Sequence, residues 1–351
     1  MKLVFVTQTL DPEHASLAQT LDLVRALAGR ADELVVLCRE TRWDGAAANV
    51  TVRTFDATGK AGRALAFERA LAASLDRADA VLVHMVPTFL VLAAPLARMR
   101  RVPLLLWYTH WHASRSLRIA TRLCDRALSV DAASYPLRSP KVRGIGHAID
   151  VDLFGADPPA AHDGPLRLLA LGRTARWKGL GTLLQAFELA ELDATLEVRG
   201  PSLTDDERAH RRELEVRAGS GGRVRVEQPL PRAEIPALLE SVDVVVSPAE
   251  PRAGATLDKA VYEAAAAARP VVTTNALLEP FLAGLPLDLL SAPRDPHTLA
   301  AVLRGVAGAA PEVRAAIGVE LRRRVVEQHS LEHWADAVIA AVCEVRSPRG
   351  G

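Results

Sequence analysis

The chain has few aromatic residues, few cysteines and almost no net charge. Phe, Trp and Tyr make up only 4% of its 351 residues, which is too few for a surface on which nucleic-acid bases stack, and the sequence has no nucleic-acid-binding motif. The three cysteines, Cys38, Cys124 and Cys343, are odd in number and far apart. This pattern favours buried thiols in a reducing cytoplasm over disulfides or a zinc site. The formal net charge is +1 and no long polar tract occurs, so disorder is expected only in the SPRGG tail.

A long apolar segment of the kind that forms a signal peptide or crosses a membrane is also missing. The first apolar run, residues 1–7, has only the length of a strand, and the apolar segment 80–97 is interrupted by Pro87 and Pro95. We therefore expect a soluble, cytoplasmic protein.

Charge is unevenly distributed within the first half of the chain. Residues 98–143 include ten Lys or Arg residues but only two acidic ones, Asp125 and Asp131. One interpretation is a solvated basic face on helices. The other is contact with an anionic acceptor or with an anionic membrane surface, which would make the protein peripheral to the membrane. The sequence leaves both interpretations open.

Length and hydrophobic pattern predict two α/β domains. A chain of 351 residues exceeds one ordinary domain of about 100–200 residues. Short apolar runs alternate with helical sequence throughout, and such continuously apolar strands are typical of a doubly wound parallel sheet with helices on both faces. The predicted strands are KLVFVT, ELVVLC, VTVRTF, AVLVHM and PLLLWY in the first half, and RLLAL, TLEVRG, RVRVE, DVVVSP and PVVTT in the second.

Composition suggests where the domains begin and end. Residues 1–155 are predicted to form an N-terminal Rossmann-like domain, and residues 156–165, rich in Pro, Ala and Gly, a linker. Residues 166–330 are predicted to form a C-terminal Rossmann-like domain. Residues 331–346 are expected to be a terminal helix that packs back on the first domain, with Ser330 at its N-cap. Further helices are predicted near residues 179–191, 205–218, 232–240 and 256–268.

The most informative motif is the stretch LLALGRTARWKGLGTLLQAF, residues 168–187. Its apolar strand leads into a loop that carries Arg173 and Lys178 next to glycines. Cations at a helix start are electrostatically unfavourable unless they serve an anion, and beside glycine they can lie against phosphate oxygens. A later helix carries Glu263, whose carboxylate can accept hydrogen bonds from a ribose. These residues predict a site for a nucleotide diphosphate.

Together with GHAIDVDLF, DVVVSP and LDKAVYEAAAAARPVV, this motif resembles the retaining, nucleotide-sugar-dependent glycosyltransferases of family 4. The likeness extends over nearly the whole chain. It implies the GT-B architecture, in which two facing Rossmann-like domains border an interdomain cleft. It also implies transfer of a hexose from a nucleotide sugar, expected to be a UDP or GDP sugar, to an acceptor hydroxyl, with retention of anomeric configuration and without a metal or other cofactor. A glycan, a lipid-linked acceptor and a natural product all stay open as the acceptor.

The resemblance also implies roles for individual residues. Arg173 and Lys178 would contact the donor diphosphate and stabilise the charge on the leaving phosphate, and Glu263 would bind the ribose. The helix that leads to Glu263 is expected to begin near Thr256, with its N–H groups toward the phosphates. In the first domain, His110 would hydrogen-bond the donor sugar and complete the catalytic set. The expected donor-binding residues are Gly172, Arg173, Lys178, Thr256, Leu257 and Glu263.

Some of these assignments have alternatives. His112 competes with His110, and an ordinary loop histidine is a third interpretation. Trp107, Tyr108 and Trp111 could stack on a sugar ring, although aromatic residues at strand ends more often belong to the core.

The chain departs from the family pattern at two places. The first of two family acids, which contacts the sugar hydroxyls, is replaced by Ala255, and Glu250 or Asp258 could substitute for it. The first strand is followed by TQTLDPEHASLA instead of a glycine-rich loop. These departures motivate an alternative, a non-catalytic GT-B protein that binds a nucleotide or a partner. A nicotinamide-dependent dehydrogenase is disfavoured because no G-x-G-x-x-G motif follows the first strand.

Overall fold

A computed structural model describes residues 1–14, 17, 19–43, 47–250 and 257–346. The chain divides into two compact units. The first comprises Met1–Ala148 together with the segment from Gln328 onward, and the second comprises Ile149–Glu327.

The first unit is built on a seven-stranded sheet in which every neighbouring pair of strands is parallel. Its strands are β1 (Lys2–Val6), β3 (Glu33–Cys38), β5 (Val50–Thr54), β6 (Ala80–His84), β7 (Leu104–Trp107), β8 (Arg126–Ser129) and β9 (Val142–Gly144), and the short β2 (Thr9–Leu10) and β4 (Glu40–Thr41) form a separate pair. The helices that follow these strands are α1 (Thr20–Ala28), α2 (Gly59–Ala72), α3 (Pro87–Met99) and α4 (Arg115–Leu123).

The order of strands in this sheet is β5-β3-β1-β6-β7-β8-β9. The chain moves outward from β1 in one direction and then returns to continue from β6 in the other, which is the doubly wound arrangement. The central strand β1 is apolar on both faces, and its residues from Leu3 to Val6 are completely buried. Helices therefore cover both faces, as the continuous apolar runs predict.

The second unit repeats this plan with five parallel strands in the order β12-β11-β10-β13-β14. The strands are β10 (Leu166–Leu171), β11 (Ala194–Arg199), β12 (Val224–Glu227), β13 (Val244–Ser247) and β14 (Val271–Thr273). The helices are α5 (Leu180–Ala190), α6 (Asp205–Ala218), α7 (Ile235–Glu240), α8 (Lys259–Ala266), α9 (Glu279–Leu282), α10 (Pro296–Gly308) and α11 (Pro311–His329), and they are followed by α12 (Leu331–Arg346). Short 3-10 turns lie at Val151–Leu153, Arg176–Lys178, Arg232–Glu234 and Ala276–Leu278.

The predicted fold class is confirmed, because each unit is a parallel, doubly wound sheet and all ten predicted strands are present. The terminal helix α12 begins where the sequence predicts. The Ser330 hydroxyl accepts a hydrogen bond from the His333 N–H at 3.1 Å, which confirms the N-cap. Residues 156–165 contain no helix or strand.

One expectation about the cysteines is wrong. Cys38 and Cys124 are buried, but Cys343 is exposed. It lies on α12, and the buried side of this helix is formed instead by Trp334, Ala335, Val338, Ala341 and Val342.

Within the described part of the chain, no helix combines the length and apolar character that a bilayer crossing requires.

Candidate functional site

The second sheet has a topological switch point between β10 and β13. Strand β10 pairs with β11 on one side and with β13 on the other, so the loops that follow β10 and β13 leave in opposite directions. Ligands of open α/β sheets bind outside the carboxyl ends of the strands at such a point. The motif residues from Gly172 to Lys178 directly follow β10.

Gly172 lies beside Lys178 at this edge. A Cβ atom built on Gly172 would lie 3.4 Å from the Lys178 Nζ, which is ordinary van der Waals contact, and the backbone φ of Gly172 is +145°. The positive φ, and not a lack of space, favours glycine here. The sequence places Gly172 in the donor-binding set, and the structure brings it against Lys178.

Lys178 ends the 3-10 turn that precedes α5 and is only 9% exposed. Its ammonium contacts the Asp258 carboxylate and lies 4.9 Å from the ring centroid of Trp177. A buried ammonium needs an anionic partner because burial removes it from water. Asp258 supplies that partner, and the Ser247 hydroxyl approaches the same carboxylate at 3.5 Å.

Two backbone contacts fix this turn against the segment that follows β13. The N–H of Glu250 donates to the carbonyl of Trp177 at 2.7 Å. Gly179 has φ +68°, and a Cβ atom there would lie 1.9 Å from the carbonyl oxygen of Pro248. Only glycine permits both this left-handed conformation and this close approach. The turn that carries Lys178 is therefore held at the carboxyl edge.

Arg173 is held by a different acid. Its guanidinium contacts a Glu207 oxygen at 2.5 Å, with Arg173 42% and Glu207 5% exposed. The other Glu207 oxygen accepts the N–H of Leu203 at 2.6 Å. Thr204 caps α6 by accepting the N–H of Glu207 at 3.2 Å, so a helix cap fixes the acid that orients Arg173.

The sequence interpretation missed both of these partner acids in their observed roles. Glu207 had a readable signal, because Thr204 and Glu207 have the spacing of a capping box. For Asp258, the sequence suggests only that it could substitute for the family acid at position 255. Its pairing with Lys178 joins positions 80 residues apart and has no local signal.

The other predicted donor-binding residues lie on or near α8. Glu263 forms an ion pair with Lys259 at 2.9 Å, one turn earlier on the helix, and its side chain is 17% exposed. Leu257 is buried at 3% exposure. Thr256 and Ala255 lie outside the described residues. The other candidate substitute acid, Glu250, pairs with Arg294 at 2.7 Å.

In the first unit, the carboxyl ends of β1 and β6 form the corresponding switch point. There the Thr7 hydroxyl and His84 Nδ1 are 3.0 Å apart. His84 is buried, with 3% exposure, and stacks on Phe5, with ring centroids 5.7 Å apart. Burial lowers the pKa of His84 to about 4, so this imidazole is neutral at physiological pH.

His110 follows β7 and is exposed at the carboxyl side of the first sheet. Its Nδ1 accepts the N–H of His112 at 3.2 Å, and its ring stacks against Trp111 with centroids 5.3 Å apart. Trp107 and Tyr108 are buried at 3% and 5% exposure, which confirms the core interpretation for both.

Among the residues that the structure describes, no group of three or more His, Cys, Asp or Glu side chains is arranged to hold a metal ion.

Comparison with known proteins gives a match to a family model over part of the chain and a match to solved structures over nearly all of it. Residues 165–308, which include the whole switch-point site, match the family model "Glycosyl transferases group 1". A search of curated protein sequences gave no significant match.

Solved structures match over almost the entire length. HepE from Anabaena in complex with UDP and glucose has 18% identity and a TM-score of 0.74, covering 98% of this chain and 100% of its own. Sucrose-phosphate synthase from Thermosynechococcus elongatus has 15% identity and a TM-score of 0.77, covering 98% of both chains. A glycosyltransferase from Rickettsia africae has 14% identity and a TM-score of 0.76, covering 99% of both. The chain has the GT-B fold. At these identities the likeness establishes the fold alone.

Proposed function

We propose that the protein transfers a sugar from a nucleoside diphosphate sugar to an acceptor hydroxyl. The observation that carries the proposal is the buried Lys178 ammonium at the switch point of the second sheet, paired with Asp258 beside Gly172. The family match to residues 165–308 covers all of these residues. A diphosphate is the ligand that such a cation at a strand end would serve.

The proposed chemistry uses Arg173 and Lys178 on the leaving group. As the bond between the anomeric carbon and the phosphate oxygen breaks, its electron pair moves onto the diphosphate. Two positioned cations stabilise that developing charge. Glu207 and Asp258 hold them before the donor arrives, so little reorganisation is needed when the charge develops. An ammonium has three N–H donors, and the ion pair with Asp258 leaves others for phosphate oxygens.

We further propose that transfer retains the anomeric configuration. The acceptor oxygen forms its bond to the anomeric carbon on the face that the diphosphate leaves, and the acceptor proton passes to the departing phosphate. The support is the resemblance to retaining family 4 enzymes, which also assigns the ribose to Glu263, a sugar contact to His110 and no metal to the reaction. A UDP sugar is the proposed donor because the structurally similar HepE was crystallised with UDP and with UDP-glucose.

The test is incubation of the purified protein with UDP-, GDP-, ADP- and dTDP-sugars, with and without an acceptor library. We expect slow hydrolysis of one donor class, abolished by Lys178→Ala and by Glu263→Ala. The matched control is Lys60→Ala, which removes an exposed lysine of α2. Nucleotide binding without turnover of any donor would contradict the enzyme and favour the alternative, a non-catalytic nucleotide-binding protein.

The basic segment 98–143 is proposed to contact an anionic acceptor or membrane surface. The support is that this segment contains ten Lys or Arg residues and only two acidic residues. Sedimentation with anionic liposomes at low salt tests the membrane contact, and absence of binding would remove it.

A further inference from the structure

A cavity of about 440 Å³ lies in the first unit between α4 and the segment that precedes β9. It is separate from the switch-point site described above, which belongs to the second unit. Leu137 contributes an apolar part of its wall. The polar side chains that line it are Arg118, Thr121, Arg122, Arg138, Ser139 and Lys141.

The cavity has four cations in its lining and no carboxylate. Within the described part of the chain, no acid forms an ion pair with Arg118, Arg122 or Arg138. By contrast, Arg126, just beyond the end of α4, pairs with Glu344 at 2.9 Å. Cations gathered around one cavity repel one another, and a bound anion would relieve that repulsion. The lining itself supplies no carboxylate to do so.

Lys141 reduces the electrostatic repulsion that an anion would meet at the carboxyl end of α4. The carboxyl end of a helix carries a partial negative charge, which would repel an anionic ligand. The Lys141 ammonium donates to the carbonyls of Arg122 and Cys124, both at 2.7 Å, and so neutralises the end of α4. These two bonds use two of its three N–H groups.

The two hydroxyls of the lining are used differently. The Thr121 hydroxyl is hydrogen-bonded within the protein, since it donates to the Leu117 carbonyl at 2.8 Å and lies 2.6 Å from the Tyr135 hydroxyl. Ser139 accepts the N–H of Lys141 at 3.3 Å, which leaves its own O–H to donate. The cavity thus offers guanidinium, ammonium and hydroxyl donors together, and this is the donor set that phosphate oxygens require.

The position of the cavity separates it from the reaction proposed above. Lys141 immediately precedes β9, and Arg122 lies at the end of α4. In a parallel α/β unit, helix ends and strand starts meet at the amino edge of the sheet, whereas reacting ligands bind at the carboxyl edge. An anion held here would anchor the protein or its substrate and would not be the donor diphosphate.

We infer that this cavity is a binding site for a phosphate group that is distinct from the proposed donor site. The ligand class is a phosphomonoester, phosphodiester or diphosphate, presented either by a soluble molecule or by a lipid headgroup. This inference does not depend on the proposed glycosyl transfer.

The test compares the wild type with two double variants of the full chain. Arg122→Gln with Arg138→Gln removes two exposed cations of the cavity, and Arg98→Gln with Arg100→Gln removes two exposed cations of the same basic segment that do not line it. Isothermal titration with inorganic pyrophosphate is expected to show a site weakened at least about tenfold in the cavity variant and unchanged in the control. Circular dichroism confirms that both variants are folded. Equal binding in all three proteins, or equal loss in both variants, would overturn the inference.

Vesicle binding then shows whether the phosphate group belongs to a lipid headgroup or to a soluble molecule. Cosedimentation with phosphatidylglycerol vesicles but not phosphatidylcholine vesicles, lost only in the cavity variant, identifies a lipid headgroup. Cavity-dependent pyrophosphate binding without cosedimentation identifies a soluble phosphate. If neither probe depends on the cavity, the site does not exist. A donor-site diphosphate would be unaffected by either variant, so failure of this inference and failure of the proposed function are separate outcomes.

Discussion

The Lys178 ammonium contacts the Asp258 carboxylate at the carboxyl edge of the second sheet. The two residues are 80 positions apart, and the pair links the loop after β10 to the start of α8. The carboxylate contacts the ammonium as a phosphate oxygen of a donor would. Asp258 is thus the anionic partner of a buried ammonium, and it occupies part of the place that a donor phosphate would take.

Asp258→Asn is expected to weaken the binding of UDP. The amide keeps the size of the side chain but removes the negative charge that holds the Lys178 ammonium in place. Isothermal titration calorimetry measures the change, which should be several-fold. The control is Asp288→Asn, which alters an acid that is not in the site. Stronger UDP binding would mean that Asp258 chiefly competes with the diphosphate for Lys178.

Lys178→Ala is expected to lower kcat/KM for the donor by roughly 10²–10³-fold, the usual effect of removing one group that stabilises transition-state charge. Lys60→Ala should leave the rate within about twofold. Steady-state release of the nucleoside diphosphate is the measurement. A Lys178→Ala enzyme as active as the Lys60→Ala control would remove the lysine from the mechanism.

Glu207→Gln is expected to raise the KM for the donor about tenfold, because Arg173 loses the charged partner that orients it. The matched control is Asp205→Asn on the same helix, which removes an exposed pair between Asp205 and Arg208. Exposed pairs contribute little, so this variant should behave like the wild type. Equal effects of the two substitutions would show that α6 has a general structural role only.

The sequence predicts the fold well because burial patterns are local. All ten predicted strands are present, whereas β2, β4, β8 and β9 were missed. These four strands are only two to four residues long, too short to show the continuous apolar run of the central strands. Their neighbours in the sheet, and not their own sequence, place them there.

The candidate site is only partly predictable for a related reason. Arg173 and Lys178 can be found from the glycines beside them and from their place after a strand. The acids that hold them come from α6 and from the start of α8, and pairing over such separations is decided by tertiary packing. The ion pair of Glu263 with Lys259 was likewise not predicted, although the two residues are four positions apart on one helix.

Gly179→Ala is expected to lower the free energy of unfolding by about 2 kcal/mol or more, since a side chain is strained at φ +68° and would meet the Pro248 carbonyl. Gly181→Ala is the matched control. That position lies inside α5 with open space around it, so alanine there should stabilise the protein by about 0.5–1 kcal/mol. Urea denaturation measures both. Similar stability changes for the two variants would contradict the close contact between the turn and Pro248.

Stability is expected to fall as the pH drops from about 6.5 toward about 4 because of His84. Burial lowers the pKa of this residue from 6.5 to about 4 in the folded protein. Between these values the unfolded chain binds a proton that the folded chain excludes, and this costs about 1.4 kcal/mol per pH unit. Above pH 6.5 both states are neutral and the penalty disappears.

The measurement is the slope of unfolding free energy against pH in the wild type and in His84→Gln. In the variant, the free energy of unfolding should change less with pH between pH 6.5 and 5, by the amount that uptake of about one proton contributes, which is about 1.4 kcal/mol per pH unit. His329, whose pKa burial lowers to about 3, acts in the same direction and is present in both proteins. Identical slopes would show that His84 is accessible to protons in the folded state.

The most direct test of the account is a crystal structure of the protein with an intact UDP sugar. The account predicts diphosphate oxygens within hydrogen-bonding distance of the Lys178 ammonium and the Arg173 guanidinium, at the carboxyl ends of β10 and β13. A nucleotide bound elsewhere, with Lys178 and Arg173 still contacting only Asp258 and Glu207, would contradict it.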